Sequence, residues 1–209
     1  MNTIITIGRQ FGSGGHDIGV MLSKELNIPL YDKELLERAA KESGMAKEII
    51  EHQDESKSGS FLFSLVMDSY STGNNSGTFI HEMPLSQKVF LAQFDAIQNL
   101  AEQGPCIFVG RCADYALDRD PRLLSVFIHA EEEFRAGRIA AAYDLSIGKA
   151  KERMLKLDKG RQSYYNYNTN KRWGACESYD LTINTARVGI KGAVEIIKNA
   201  ILAKESFQA

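Results

Sequence analysis

Short apolar runs recur along the chain at residues 3–7, 28–31, 107–109, 124–129 and 181–184, each with the length of a sheet strand. Between them the apolar positions repeat at helical spacing. Ile18, Met21, Leu22 and Leu26 share one face of a helix predicted over 15–26. Asp32 caps a second helix over 33–42, which Gly44 ends. Pro84 suits the first turn of a third, in which Val89, Phe90, Phe94, Ile97 and Leu100 face inward before Gly104 stops it. Later helices are predicted over 131–143, 146–159 and 189–204. Parallel strands need crossover connections that are usually helical, so strands alternating with helices give an α/β, three-layer domain around a parallel sheet.

Residues 56–83 depart from this pattern. Ser58-Gly59-Ser60 and the polar run 71–77 flank an apolar stretch at 61–67, which reads as a mobile insertion carrying one short helix. With no internal repeat and no interdomain linker, residues 1–209 are expected to form a single domain. A chain of 209 residues, 44% apolar and 25% charged, can bury a substantial core. Its net charge of -2 lacks the extended basic footprint of a general nucleic-acid binder. Cys106, Cys112 and Cys176 are odd in number and form no CxxC pair, so free thiols in a reducing compartment are expected. The apolar start at residues 4–7 is too short for a signal-peptide core, and no run reaches the roughly 20 residues that span a bilayer. The expectation is a cytoplasmic protein that binds neither membrane nor nucleic acid. The apolar 61–67 stretch suits packing on a second copy of the chain as readily as on its own domain, leaving a homodimer open.

The chemistry concentrates after the first strand, in Gly8-Arg9-Gln10-Phe11-Gly12-Ser13-Gly14-Gly15-His16-Asp17-Ile18-Gly19. Strand, glycine-rich turn and helix is the arrangement in which backbone N–H groups and a helix N-terminus point together at an anion. Glycine allows backbone angles closed to other residues and a close approach of phosphate oxygens. Gly12, Ser13, Gly14, Gly15, His16 and Asp17 are therefore the candidate phosphate-binding residues. A plain tight turn is the bland alternative, and a dinucleotide fingerprint G-x-G-x-x-G competes but lacks its third glycine, Asp17 following instead. A standard phosphate loop reads G-x-x-x-x-G-K-[ST]. Here Gly15 stands at the lysine and His16 at the hydroxyl, so a cation must come from elsewhere, and Arg9 is the nearest candidate.

Four segments together resemble the cytidylate kinase-like family: Gly8 to Gly15; Val109-Gly110-Arg111-Cys112-Ala113; Asp158-Lys159-Gly160-Arg161 with Tyr164-Tyr165-Asn166-Tyr167; and Trp173-Gly174 followed by Tyr179 to Thr185. The resemblance implies a nucleoside monophosphate kinase-like, P-loop NTPase fold with a five-stranded parallel sheet. It implies a monophosphate-site insertion at about 32–83 and a lid at about 134–175. It further implies ATP held by the Gly12 to Gly15 loop, with Mg2+. Arg111 would face the acceptor together with Asp32 and Arg38, and the lid would supply Arg135, Arg138, Asp158 and Arg161. Cys112 stands where cytidylate kinases have an aspartate, for which Asp114 or Asp17 are the available substitutes.

Phosphoryl transfer requires positioning and positive charge around the equatorial oxygens, which Arg9, Arg111, Arg135, Arg138 and Arg161 can supply as a set. Taken singly, each lid arginine has a solvated helix face with Glu131 to Glu133 as its alternative. Tyr164, Tyr165, Tyr167 and Trp173, interleaved with Arg161, Lys171 and Arg172, allow a single-strand stacking platform or packing of the lid's connection to the last strand. Two functions follow: transfer of the ATP γ-phosphate to a nucleoside monophosphate, cytidylate first, or to another small metabolite; and a catalytically weak nucleotide-binding sensor or regulatory module.

Overall fold

The computed structural model describes residues 2–32 and 85–208. Strand β1 (Ile4–Arg9) lies at the centre of a five-stranded parallel sheet. Around it stand β2 (Leu30–Tyr31), β3 (Ile107–Val109), β4 (Leu123–His129) and β5 (Leu181–Asn184), in the order β2-β3-β1-β4-β5. Ile5 pairs with Ile107 on one side and Leu124 on the other, and Ile128 pairs with Ile183. A central parallel strand covered on both faces reads as an unbroken apolar run. Ile4, Ile5 and Ile7 are accordingly inaccessible, with Thr6 almost so.

Alternation along the strands sends Ile5, Ile7, Ile107, Val109, Val126 and Ile128 to one face. There they meet Ile18 and Leu22 of α1 (Gly15–Leu26) and Ala193, Val194, Ile197 and Ile201 of α6 (Thr185–Gln208). Burying a side chain such as Leu22 stabilises the fold by about 1.5–3 kcal/mol. On the opposite face Phe127 sits edge-on to Trp173 at 5.2 Å and against Tyr179 at 4.9 Å, with Tyr165 stacked on Tyr179. Tyr165 and Trp173 thus pack the connection back to the last strand. Only Tyr167 of that aromatic cluster is largely exposed.

After β3 come the single-turn α3 (Ala113–Ala116), then α4 (Glu132–Tyr143) and α5 (Ile147–Asn168) beyond β4. Helices α4 and α5 form a hairpin whose seam is Ile139, Ala150 and Met154, with Phe11 and Leu145 packed against it. Ser146 caps α5, accepting from the Lys149 N–H. The expected end of this helix at residue 159 is corrected to Asn168. Gly160 has open space around it, and a glycine costs a helix only about 1 kcal/mol, too little to end one that Tyr165 anchors further on. Consequently Asp158, Arg161, Tyr164 and Tyr165 all ride on one rigid helix. The last helix is broken at Gly189 (φ 71°, ψ 171°), so a short turn from Thr185 precedes the segment expected from 189 onward.

The chain divides into two compact units, Met1–Tyr31 with Gln103–Ala209, and Asp32–Glu102. Within the second, α2 (Leu85–Glu102) buries Ile97 and Ala101 and pairs Phe90 with Phe94 at 6.0 Å. The helix expected over 33–42, the 56–83 insertion and Arg38 lie outside the described residues. No helix among the described residues is long and apolar enough to cross a membrane.

Candidate active site

The loop between β1 and α1 is built by two left-handed glycines, Gly12 (φ 80°) and Gly14 (φ 85°). Space as well as angle excludes a side chain there. A Cβ on Gly12 would stand 2.8 Å from Ile139, and one on Gly14 2.1 Å from Ile190. Ser13 turns inward, fully buried, its hydroxyl donating to the Gln10 carbonyl at 2.8 Å. The Ser13 carbonyl accepts from the buried Thr185 hydroxyl at 2.7 Å, and the same hydroxyl reaches the His129 carbonyl at 3.2 Å. The loop is therefore pinned from below to the ends of β4 and β5. Among the described residues no protein acceptor takes the N–H groups of Gly12, Gly14 and Gly15.

Three arginines grip the loop's backbone from the hairpin. Arg161 donates to the Arg9 carbonyl at 3.1 Å, Arg135 to the Phe11 carbonyl at 3.2 Å, and Arg138 to the Gly12 carbonyl at 3.1 Å. Arg135 is buried and ion-paired with Asp158, whose other oxygen accepts the Phe11 N–H at 2.7 Å. Arg138 also pairs with Asp17 on the first turn of α1 at 2.7 Å. The solvated alternative for these side chains does not hold. Glu131 pairs with Arg187, and Glu132 and Glu133 with Lys151, leaving Arg135 and Arg138 to the loop.

At the end of β3, Gly110, Arg111 and Cys112 are consecutively left-handed, with φ of 79°, 61° and 56°. Each non-glycine residue so placed costs about 1–2 kcal/mol, a strain typical of functional turns. The guanidinium of Arg9 lies against this turn, since a Cβ on Gly110 would fall 1.8 Å from Arg9 Nη1. Burial lowers the pKa of Arg161 below its ordinary value; Asp158 opposes this and the nearby Arg111 adds to it. Arg111 also donates to Tyr164, whose phenol burial pushes up to about 12. Arg9, Arg111 and Arg161 thus surround one region above β1 and β3.

The two carboxylates that could stand in for the missing aspartate differ in access: Asp114 is buried and Asp17 is half exposed. Asp114 is buried under the Tyr165 hydroxyl at 2.5 Å, and burial raises its pKa despite that bond. Asp17 is held by Arg138. Cys112 is buried, its thiol pushed up to about 12, chiefly by desolvation, so it behaves as a packing residue. Asp32 opens the second compact unit immediately after β2. Residues 134–175 comprise the α4–α5 hairpin and the loop carrying Trp173. A cavity of about 330 Å³ lies beside Gln10, lined also by Phe127, His129, Gln162, Trp173 and Thr182.

Sequence reasoning did not single out Thr185 or Gln10 as parts of the site's frame, and it read Tyr164 and Tyr165 only as lid packing or a stacking platform. Thr185 ends the Tyr179 to Thr185 motif, which was its only signal. Gln10 Oε1 accepts the Ala130 N–H at 3.2 Å, joining the loop to the start of the hairpin.

The five-stranded parallel sheet with a glycine-rich loop between β1 and α1 is the fold of the P-loop NTPases. The model of the cytidylate kinase-like family matches residues 4–187, and the chain belongs to that family. It is 34% identical over 113 residues to a cytidylate kinase from Methanothrix thermoacetophila, a match covering 52% of this chain and 62% of that protein, less than two-thirds of its length. The structure is similar to that of an uncharacterized protein from Eubacterium ventriosum, at TM-score 0.72 and 28% identity, covering 96% of this chain and 98% of the other. A shikimate kinase from Bacteroides thetaiotaomicron shares the fold, at TM-score 0.52 and 11% identity, covering 96% of this chain and 99% of that one.

Proposed function

We propose that this protein transfers the γ-phosphoryl group of ATP to a nucleoside monophosphate, cytidylate being the first acceptor to test. The observation that carries the reading is the loop itself. Gly12, Gly14 and Gly15 present N–H groups without protein acceptors at the N-terminus of α1, where the helix dipole favours an anion. The arginines supply the second requirement. Arg161 and Arg111 lie close enough for their charges to repel, and Arg135 and Arg138 fix the hairpin to the loop, so positive charge is gathered beside the phosphate loop. Asp158 keeps Arg135 in place and holds the Phe11 N–H.

Magnesium usually takes one or two carboxylates together with substrate phosphates and water. Asp17, half exposed at the first turn of α1 and one residue past His16, fits that donor set. When bound, the ion neutralises charge on the β and γ phosphates. Arg138, which holds Asp17 beside the loop, sets the position of that carboxylate. Arg111 at the strained β3 turn is the acceptor side of the reading.

The absence of a loop lysine favours a second reading, a nucleotide-binding regulator with little turnover. An ADP-release assay over a panel of nucleoside monophosphates and small phosphate acceptors, beside ATP titration calorimetry, separates the two. Acceptor-stimulated ADP release is expected. Micromolar ATP binding with no acceptor effect would leave the regulator; no ATP binding would remove both.

A further inference from the structure

We infer that the phosphate loop has exchanged its first glycine and its cation: Arg9 is the phosphate-facing charge, and Gly15 is a glycine because Arg9 needs its space. The inference rests on the donor-site reading above. Counted with Gly14 as the second glycine, the pattern G-x-x-x-x-G-K places its first glycine at position 9 and its lysine at position 15. This chain has arginine at 9 and glycine at 15, the reverse order.

The geometry explains why the two changes occur together. Gly15 is the first residue of α1 and is absent from the left-handed glycines, so its backbone does not require glycine. Its surroundings do. A Cβ at position 15 would stand 2.6 Å from Arg9 Cβ and 3.0 Å from Arg9 Cγ. Those atoms are the root of the Arg9 side chain, not a flexible end, and cannot move aside without moving β1. One stem fits between the end of β1 and the first turn of α1, so a side chain at 9 and one at 15 exclude each other. From that slot the Arg9 guanidinium runs to the Gly110 turn, where a Cβ would fall 1.8 Å from Nη1. Gly110, left-handed at φ 79°, leaves the guanidinium that space. The charge ends between the donor loop and the Arg111 turn, the place that a bridging cation on a transferring phosphoryl group must occupy. Guanidinium suits it, being permanently charged and able to hold two oxygens at once.

A double-mutant cycle tests both halves. Arg9→Gly, Gly15→Lys and the double variant, which restores G-x-x-x-x-G-K, are compared by melting temperature, affinity for Mg-ATP and for AMP, and turnover. Arg9→Gly is expected to fold, to lose roughly 100-fold in turnover, and to weaken ATP binding far more than AMP binding. Gly15→Lys alone is expected to melt several degrees lower, and adding Arg9→Gly to restore the melting temperature and at least about tenfold of the lost ATP affinity. ATP affinity and turnover of Arg9→Gly within twofold of wild type would overturn the cation role, as would a double variant binding ATP no better than Arg9→Gly. The steric half is read without any nucleotide: Gly15→Ala should destabilise the protein that has Arg9 and leave the Arg9→Gly protein unaffected. Equal effects in both backgrounds would overturn it. A wild-type protein that fails to bind ATP while the melting cycle behaves as expected would refute the donor-site reading and the cation role, but not the steric exchange.

Discussion

Replacing Tyr165 by Phe removes one oxygen and leaves a buried acid without its donor. Tyr165 and Asp114 are 5% and 6% exposed, and the phenol donates to Asp114 Oδ2 at 2.5 Å. Burial raises the Asp114 pKa above its ordinary 3.8, while the Tyr165 bond and then the Lys171 charge pull it down without cancelling the rise. The folded protein therefore holds this proton more tightly than the unfolded chain. Stability from this group is highest below the ordinary value and falls as pH rises through the interval up to the folded one. Without the hydroxyl, one lowering influence is gone, so the folded pKa climbs and the interval extends to higher pH. The penalty of Tyr165→Phe must then grow with pH. A hydrogen bond to a charged group contributes about 1.5–3 kcal/mol, against about 1 kcal/mol for a neutral pair. For a chain of this size each kcal/mol moves the melting temperature by roughly 2–4 °C, so a loss of about 2–12 °C is expected across the neutral and charged cases, larger at higher pH. Melting followed by circular dichroism near pH 4.5 and pH 7.5 reads this difference. The double variant with Asp114→Asn should lose the added pH dependence. A Tyr165→Phe protein that melts within about 1 °C of wild type near neutral pH, or whose deficit shrinks as pH rises, refutes the reasoning.

Thr185→Val removes the buried hydroxyl shared by the Ser13 and His129 carbonyls and should cost about 1–3 kcal/mol in urea unfolding, whereas Thr185→Ser should cost less; equal stabilities would show that the loop does not depend on this pin. Asp158→Ala leaves Arg135 buried without its counter-charge, and a loss of about 3–5 kcal/mol is expected from the same measurement. Gly12→Ala must place a Cβ against Ile139 at a left-handed φ, so it should lower both the melting temperature and ATP affinity; an unchanged affinity would detach the loop from nucleotide binding.

The strand runs and the first helix were legible because a doubly covered parallel strand and a half-buried helix have distinct periods, and β1, β3, β5 and α1 fall close to their expected places. Helix α5 was read short because a glycine in a polar sequence resembles a stop, and only the distant Asp114 shows why the helix continues. The arginines were visible as candidates, but not their partners. Arg135, Arg138 and Arg161 end on main-chain carbonyls, which carry no signature in a sequence. The glycine at 15 was visible as a missing lysine, whereas its dependence on Arg9 needed coordinates. Thr185 was inconspicuous because one buried hydroxyl does not alter a hydrophobic pattern.

The way the hairpin holds the loop also bears on which changes the lineage of this chain can accept. Arg135 and Arg161 grasp the carbonyls of Phe11 and Arg9, groups that every amino acid possesses. Drift at a gripped position therefore does not break the grip, whereas loss of the arginine on the far side does. Tolerance of the hydrogen bond should be lopsided across each contact: a side-chain change at position 11 leaves the carbonyl that Arg135 holds, even where it disturbs the packing of Phe11 on the α4–α5 seam, whereas a change at Arg135 removes the bond itself.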